Sequence, residues 1–178
     1  LAGTLVASAN RLSVGGKSPL TGGIKESNAG GIVAYKLGRL GVRAFTLEGK
    51  PEQPGAWNIL HISAAGARLV PAPPEIPGKG VYEKTRLLLE KYGAKAGLAV
   101  IGPAGEQMLT GAGITCIDPE GVPARYSGRG GLGAVLASKG IQAVVIDDAD
   151  APKEAMHDPE AFTKGLREVA RLVNTSPA

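Results

Sequence analysis

Gly30-Gly-Ile-Val-Ala-Tyr-Lys-Leu-Gly-Arg-Leu-Gly-Val-Arg-Ala-Phe-Thr-Leu-Glu48 returns a hundred residues later as Gly130-Gly-Leu-Gly-Ala-Val-Leu-Ala-Ser-Lys-Gly-Ile-Gln-Ala-Val-Val-Ile-Asp147, one residue shorter. Both runs follow one plan. A glycine pair opens a short helix whose fifth residue is Ala, a glycine stops it, and an apolar strand ending in an acid follows. The shared plan reads as an internal duplication, with repeat units around residues 11–50 and 124–148. Helix–strand units mixed with hairpins predict an α+β fold of two similar halves. Two packed β-sheets are flanked by helices in α/β/β/α layers, rather than a doubly wound sheet. Residues 1–178 are read as a single domain, and as a segment of a longer enzyme, because the chain opens on Leu1 within Leu1-Ala-Gly-Thr4 with no lead-in.

Working outward, the run before each glycine pair is rich in glycine and hydrogen-bond donors. Lys17-Ser-Pro-Leu-Thr-Gly-Gly-Ile-Lys-Glu-Ser-Asn-Ala-Gly-Gly31 precedes the first helix, and Ala124-Arg-Tyr-Ser-Gly-Arg-Gly-Gly-Leu-Gly-Ala134 spans the start of the second. Glycines at a helix start let a ligand approach the backbone, and the free N–H groups there attract anions. Two such sites suggest one large phosphate-bearing ligand or two copies of a smaller one.

Composition narrows the class. Hydrophobic residues make up 43% and charged residues 20%, so the chain can bury a core and is not disordered as a whole. Glycine, at 27 of 178 residues, is about twice its usual share and shows no collagen period, which points to turns and ligand loops. The net charge of +4 is spread along the chain without a run of Lys or Arg, and aromatics are 4%. Anionic small molecules fit this better than a nucleic acid. The one cysteine, Cys116, excludes an internal disulfide and a multi-cysteine metal site, and its apolar neighbours predict a buried thiol. No signal peptide and no bilayer-length apolar run is visible, so the expected location is cytoplasmic, with no membrane partner.

The remaining elements follow from periodicity and breakers. Strands are predicted over 11–16, 42–48, 97–101 and 141–147, a hairpin over 57–70, and a strand pair over 108–117. Helices are predicted after Gly31 and Gly131, over 81–92 and over 159–173, with loops at 17–31, 51–54 and 71–80.

Lys17, Ser18, Thr21, Ser27 and Asn28 offer donors suited to phosphate, and Asn28 also offers an amide oxygen for Mg²⁺. The competing reading is a tight turn with Ser27 or Asn28 as a helix cap. Arg125 and Arg129 bracket Tyr126-Ser127-Gly128 and can fork onto phosphate or ring carbonyl oxygens, or Arg129 can simply pair with an acid. The run is neither a dinucleotide fingerprint nor a P-loop. Ile101-Gly-Pro-Ala-Gly-Glu106 reads as a sharp turn in which Glu106 orients a partner or caps a helix. His61 is expected to be structural, His157 marks a helix start, and Asp147–Asp150 reads as a solvated turn. Nothing here supplies redox chemistry by itself, so a cofactor would have to bring it.

At these motifs the chain resembles the N-terminal domain of the aldehyde:ferredoxin oxidoreductase family. The carriers are Leu1-Ala-Gly-Thr4, Arg11, Lys17-Ser-Pro-Leu-Thr-Gly22, Ser27-Asn-Ala-Gly-Gly31, Glu48-Gly-Lys50, Ile101-Gly-Pro-Ala-Gly-Glu106 and Gly128-Arg-Gly-Gly-Leu-Gly-Ala-Val135 with Ser138-Lys139. The resemblance implies a tungsten (or molybdenum) atom held by two pterin cofactors whose phosphates are bridged by Mg²⁺, all lying on this domain. By position, Arg11 and Arg125 would hydrogen-bond the pterins. Asn28 and the backbone carbonyl of Tyr126 would reach the Mg²⁺, and Gly30, Gly128 and Arg129 would line the pterin and phosphate sites. Tyr126 stands where the family pattern has a small residue.

The resemblance further implies an oxidoreductase that converts aldehydes to carboxylates and passes electrons through a [4Fe-4S] cluster to ferredoxin. The cluster would lie in C-terminal helical domains that this sequence does not contain. Two alternatives remain: a subunit of an aromatic acyl-thioester reductase, and a non-catalytic phosphate- or pterin-binding scaffold module. An exposed cofactor face could drive homo-oligomerisation.

Overall fold

The computed structural model describes residues 1–53, 55–152 and 156–176. Pro54, the last residue of the expected 51–54 loop, lies outside them. In chain order the elements are β1 (Leu12–Lys17), β2 (Ile24–Ala29), α1 (Val33–Arg39), β3 (Asn58–Ser63), β4 (Gly66–Pro71), α2 (Val81–Tyr92), β5 (Gly97–Ile101), α3 (Pro103–Glu106), β6 (Ile114–Cys116), β7 (Arg125–Ser127), α4 (Leu132–Ser138), β8 (Ile141–Asp147) and α5 (Pro159–Thr175).

The fold is α+β, with two sheets flanked by helices. The larger sheet has the order β4-β3-β8-β5-β6-β7, and β1-β2 form a separate antiparallel pair. Within the large sheet only β3 and β8 run parallel. Its centre is apolar on both faces because β5 and β8 are runs of Ile, Leu, Val and Ala. One face packs Ile59, Leu98, Val100, Ala143 and Val145 against Leu88 of α2. The other packs Leu60, Ala99, Ile114, Val144 and Ile146 against Val33 and Leu37 of α1 and Leu132 and Leu136 of α4. Each fully buried aliphatic side chain contributes about 1.5–3 kcal/mol.

Most predicted elements appear where periodicity placed them, and several differ for physical reasons. The 17–31 stretch is a hairpin rather than a loop. Ser18 N–H donates to Gly23 O at 2.9 Å and the Ser18 hydroxyl oxygen accepts from the N–H groups of Leu20 and Thr21, which closes the turn between β1 and β2. Arg125–Ser127, for which the sequence predicts no strand, is one because β6 pairs with it. Met108 to Gly113 turns instead of pairing, so only Ile114–Cys116 is strand. Val42–Glu48 belongs to neither sheet, and Phe45 within it is 41% exposed. Asp148, expected in a solvated turn, is largely buried and pairs with Lys36 and with Arg39.

The two hairpins share one register at a constant offset of 100 residues. Val14 stands opposite Ser27 and Ile114 opposite Ser127, and Gly16–Lys25 matches Cys116–Arg125. Gly41 and Gly140 close the two short helices with φ of 73° and 70°, a left-handed conformation that favours glycine.

Candidate functional site

The site is built where the two halves meet. Ser27 of β2 and Ser127 of β7 are both buried, and the Ser127 hydroxyl donates to Ser27 O at 3.4 Å. The Arg129 N–H donates to the Ser27 hydroxyl oxygen at 3.2 Å. Ser18 and Ser27, expected as phosphate donors, are therefore committed to the turn and to this bridge. Neither Ser27 nor Asn28 caps a helix, because the N-cap of α1 is Ile32 and no side chain bonds there.

Around this seam each half lays a cation over the other half's glycine pair. The Arg125 side chain passes Gly30 and Gly31, with Cγ only 3.3 Å from where a Gly31 β-carbon would stand. Lys25, its counterpart at the 100-residue offset, passes Gly130, with Cγ 2.4 Å from the corresponding point. Gly31 also sits against Ile117 O, 2.3 Å from a β-carbon position, and has φ of 91°. A side chain at either place would displace the cation, so the glycines are what let these long side chains lie flat along the backbone.

Arg11 immediately precedes β1, whose Leu12 stands opposite Ala29, and its side chain lines a groove beside β1. Asn28 is exposed on β2, pointing away from the face that buries Ser27 and Ala29. Gly128 and Arg129 follow β7 and are exposed. Tyr126 is 56% exposed, and its hydroxyl donates to Pro123 O at 3.1 Å, which folds the ring back along its own segment. No ion pair among the described residues involves Arg11, Lys25, Arg125 or Arg129. Four uncompensated cations on glycine-rich backbone suit a polyanionic ligand. Both helices at the glycine pairs have only seven residues, so side-chain charge carries this more than helix dipoles.

Lys25 was missed in reading the sequence. The signal was present: the offset that aligns the glycine pairs also aligns Lys25 with Arg125.

The start of α4 is fixed from behind. Gly133 and Gly131 lie against the backbone of Gly113 and Thr110, each with a β-carbon position 2.2 Å from a carbonyl oxygen. Gly105 of α3 abuts Gly133. Glu106, at the end of α3, makes no helix-cap bond and orients Lys84 instead. It pairs with the fully buried Lys84 of α2 and accepts from Gly78 N–H at 2.8 Å. Lys84 also donates to Ile101 O at 2.8 Å and to the side-chain oxygen of Gln142. Burial pushes Lys84 below its ordinary pKa. His61 is buried and stacks on Tyr92 with ring centroids 5.3 Å apart. Cys116 is fully buried, which pushes its thiol up to about 12 and leaves it inert.

A pseudo-symmetric α+β domain presenting paired cations over paired glycines defines a class: a two-half domain with an exposed cationic face suited to an anionic ligand. The chain belongs to the aldehyde ferredoxin oxidoreductase family, matching that family's N-terminal domain over residues 1–148. It is 34% identical over 180 aligned residues to the tungsten-containing aldehyde ferredoxin oxidoreductase of Pyrococcus furiosus, and 36% identical over 178 to that of Pyrococcus horikoshii. Each alignment covers 99% of this chain and 28% of the relative, so the chain spans little more than a quarter of their length. Among solved structures it is similar to the active-site complex BamBC of benzoyl coenzyme A reductase in complex with 1,5-dienoyl-CoA. The TM-score is 0.83 and the identity 28%, over 98% of this chain and 25% of that one. No helix among the described residues is long and apolar enough to cross a membrane.

Proposed function

We propose that this chain is the cofactor-bearing base of a tungsten-pterin oxidoreductase that converts aldehydes to carboxylates in the cytoplasm. The carrying observation is the reciprocal arrangement of Arg125 over Gly30–Gly31 and Lys25 over Gly130, which matches a ligand that is itself two similar anionic halves. The fit is chemical: exposed, unpaired guanidinium and ammonium groups suit phosphates and pterin ring oxygens, and the glycines keep the backbone open to them. When bound, the metal bis-pterin supplies the two-electron chemistry that takes an aldehyde and water to a carboxylate.

The chain's own residues bind and orient. Arg125 and Arg11 hold the pterin rings, Arg129 and Lys25 neutralise phosphate charge, and Gly30 and Gly128 line the approach. Asn28 and the Tyr126 carbonyl would hold a Mg²⁺ that offsets phosphate charge. A [4Fe-4S] cluster in C-terminal helical domains would supply the route for electrons to ferredoxin, and those domains would cover the face, so the isolated chain would be inactive.

A second reading, a subunit that handles an aromatic acyl thioester, is favoured by the likeness to the benzoyl coenzyme A reductase complex. Metal analysis by mass spectrometry of the anaerobically purified full-length protein tests the shared core. Tungsten or molybdenum in the parent, reduced in Arg125→Ala and Asn28→Ala variants, is the expected result. A folded, metal-free parent sinks both enzyme readings in favour of a binding module. Turnover of an aldehyde against an aromatic acyl thioester then separates the two enzymes.

A further inference from the structure

The Ile101-Gly-Pro-Ala-Gly-Glu106 run carries none of the four cations of the candidate face, and none of the roles above falls to it. It is nevertheless pinned. β5 ends at Ile101, Gly102 is extended, and Pro103 opens the four-residue α3 at a position where its missing N–H costs nothing. Lys84, fully buried on α2, reaches three elements at once. Its ammonium donates to Ile101 O at the end of β5, to the Glu106 carboxylate at the end of α3, and to the Gln142 side-chain oxygen near the start of β8. Gly78 N–H donates to both Glu106 oxygens, at 2.8 and 3.1 Å.

Stability alone does not call for such an arrangement. A buried charge pair gains little over apolar side chains of the same volume, because desolvation offsets the attraction. What charged hydrogen bonds add is direction. Three acceptors around one ammonium fix the angle at which α3 leaves the sheet, as apolar contacts do not. From α3 the constraint passes through backbone. Leu109 N–H donates to Ala104 O and Met108 N–H to Gly105 O, so the 108–113 turn hangs from α3. Gly133 N–H donates to Ala112 O at 2.9 Å, and Gly133 O lies 3.4 Å from the β-carbon position of Gly105. Gly128 Cα lies 3.0 Å from the β-carbon position of Gly113, and Gly131 abuts Thr110 O. Glycines at these contacts leave no side chain to absorb a shift, so a displaced α3 displaces the loop from Gly128 to Gly131. Lys25 lies over Gly130 in that loop.

We propose that Lys84 and Glu106 are positioning residues for the anion cradle made by Gly128–Gly131 and Lys25. They hold α3 as a strut behind that loop, and neither side chain touches the ligand. This role rests on the reading of the face as a phosphate site. The opposite cradle is carried differently. Ile32 N–H donates to Ile117 O at 3.0 Å, Gly31 lies against the same carbonyl, and Ile117 N–H is bound in turn to Leu98 O of β5. Loosening the strut therefore affects the Gly130 side and spares the Gly30 side.

The test uses the full-length protein freed of cofactor. Lys84→Met combined with Glu106→Gln removes the clamp without leaving an unpaired buried charge. Gly105→Ala pushes α3 off Ile101 and Gly133 with the clamp's own groups intact. In both variants, amide exchange at residues 108–113 and 128–134 should speed up at least about tenfold, while residues 30–36 and the core strands β5 and β8 change less than about two-fold. A merely structural role would speed all of these together. Inorganic pyrophosphate, titrated calorimetrically, should bind about tenfold more weakly to both variants than to the parent. Lys25→Ala should weaken it at least as much, which places the probe on this cradle. Uniform exchange in a folded variant, or pyrophosphate affinity unchanged in it, overturns the inference and leaves the cofactor reading standing. Failure of both variants to fold makes the strut purely structural and overturns it too. A parent that does not bind pyrophosphate, or binding that Lys25→Ala leaves unchanged, overturns the phosphate reading of the cradle and the inference with it.

Discussion

His61 sits in β3 between Leu60 and Ile62, and all three are buried because the sheet is covered on both faces. Burial holds its imidazole below the ordinary 6.5, with Arg68 acting in the same direction and Asp147 against it. The folded state thus prefers the neutral ring, while the unfolded chain takes up a proton as pH falls past 6.5. The stability His61 contributes is complete above that pH and is lost as pH falls through the lower folded value. His61→Phe keeps the stack on Tyr92, so its urea midpoint should stay flat through the window in which the parent's midpoint declines. Glu106 carries the same sign lower on the scale. Burial pushes it up, but the bonds from Lys84 and from Gly78 N–H outweigh burial and hold it below 4.5. Its contribution is lost only as pH falls further. Glu106→Gln should remove that acid limb and cost about 3–5 kcal/mol at neutral pH, since it leaves the buried Lys84 without its counter-charge. Gly133→Ala should cost about 1–3 kcal/mol in urea unfolding, because its methyl would meet Gly113 O in a packed interface. Gly22→Ala meets nothing within 4 Å and bears only the strain of a φ of 75°, about 1 kcal/mol.

At the scale of elements, the sequence was most legible where a segment carries its own period. α2 and β5 lie at their predicted bounds, since Leu87–Leu89 amid charges and Gly-Leu-Ala-Val-Ile admit one reading each. The strands β2 and β7 were illegible because Ile-Lys-Glu-Ser-Asn-Ala and Arg-Tyr-Ser have no apolar alternation, and their extended form comes from partners distant in sequence. Val42–Glu48 shows the converse. Its composition is that of a buried strand, but composition cannot supply the neighbour that a strand needs. The candidate face was legible as a cluster of glycines and arginines, whose chemistry is local. It was not legible at Ser27–Ser127 and Lys25, whose roles exist only across the seam. α5 makes a separate prediction. Asp158 caps it by accepting from Ala161 N–H at 2.9 Å, and Phe162, Leu166 and Val169 form an apolar stripe, but no residue of the helix is buried. Deleting residues 157–178 should therefore shift the urea midpoint by less than about 0.5 kcal/mol equivalent. A larger loss would mean that the stripe packs on the domain in solution.

The two halves are not independent folding units, because each lends its short helix to the other's strands. Val33 and Leu37 of α1 pack on Ala99 of β5 and Val144 of β8, while Leu132 and Val135 of α4 lie against Gly16 of β1. A seven-residue helix has no stability alone in water. Neither repeat can therefore bury its apolar face without the other, although their sequences show a duplication. The seam that carries the cationic face is the same one that makes the core, and Ser27 and Ser127 are buried in it. Two consequences follow together. Peptides covering residues 1–50 or 95–150 should each be unfolded by circular dichroism, and the whole chain should unfold in one transition. Trp57 packs on the core that α1 and α4 share, so its fluorescence reports that seam, while far-ultraviolet circular dichroism reports all elements. The two probes should give one urea midpoint. Separate midpoints, with Trp57 fluorescence changing first, would show halves that fold alone and merely dock. The proposed cofactor face would then be a surface assembled late rather than a product of the fold.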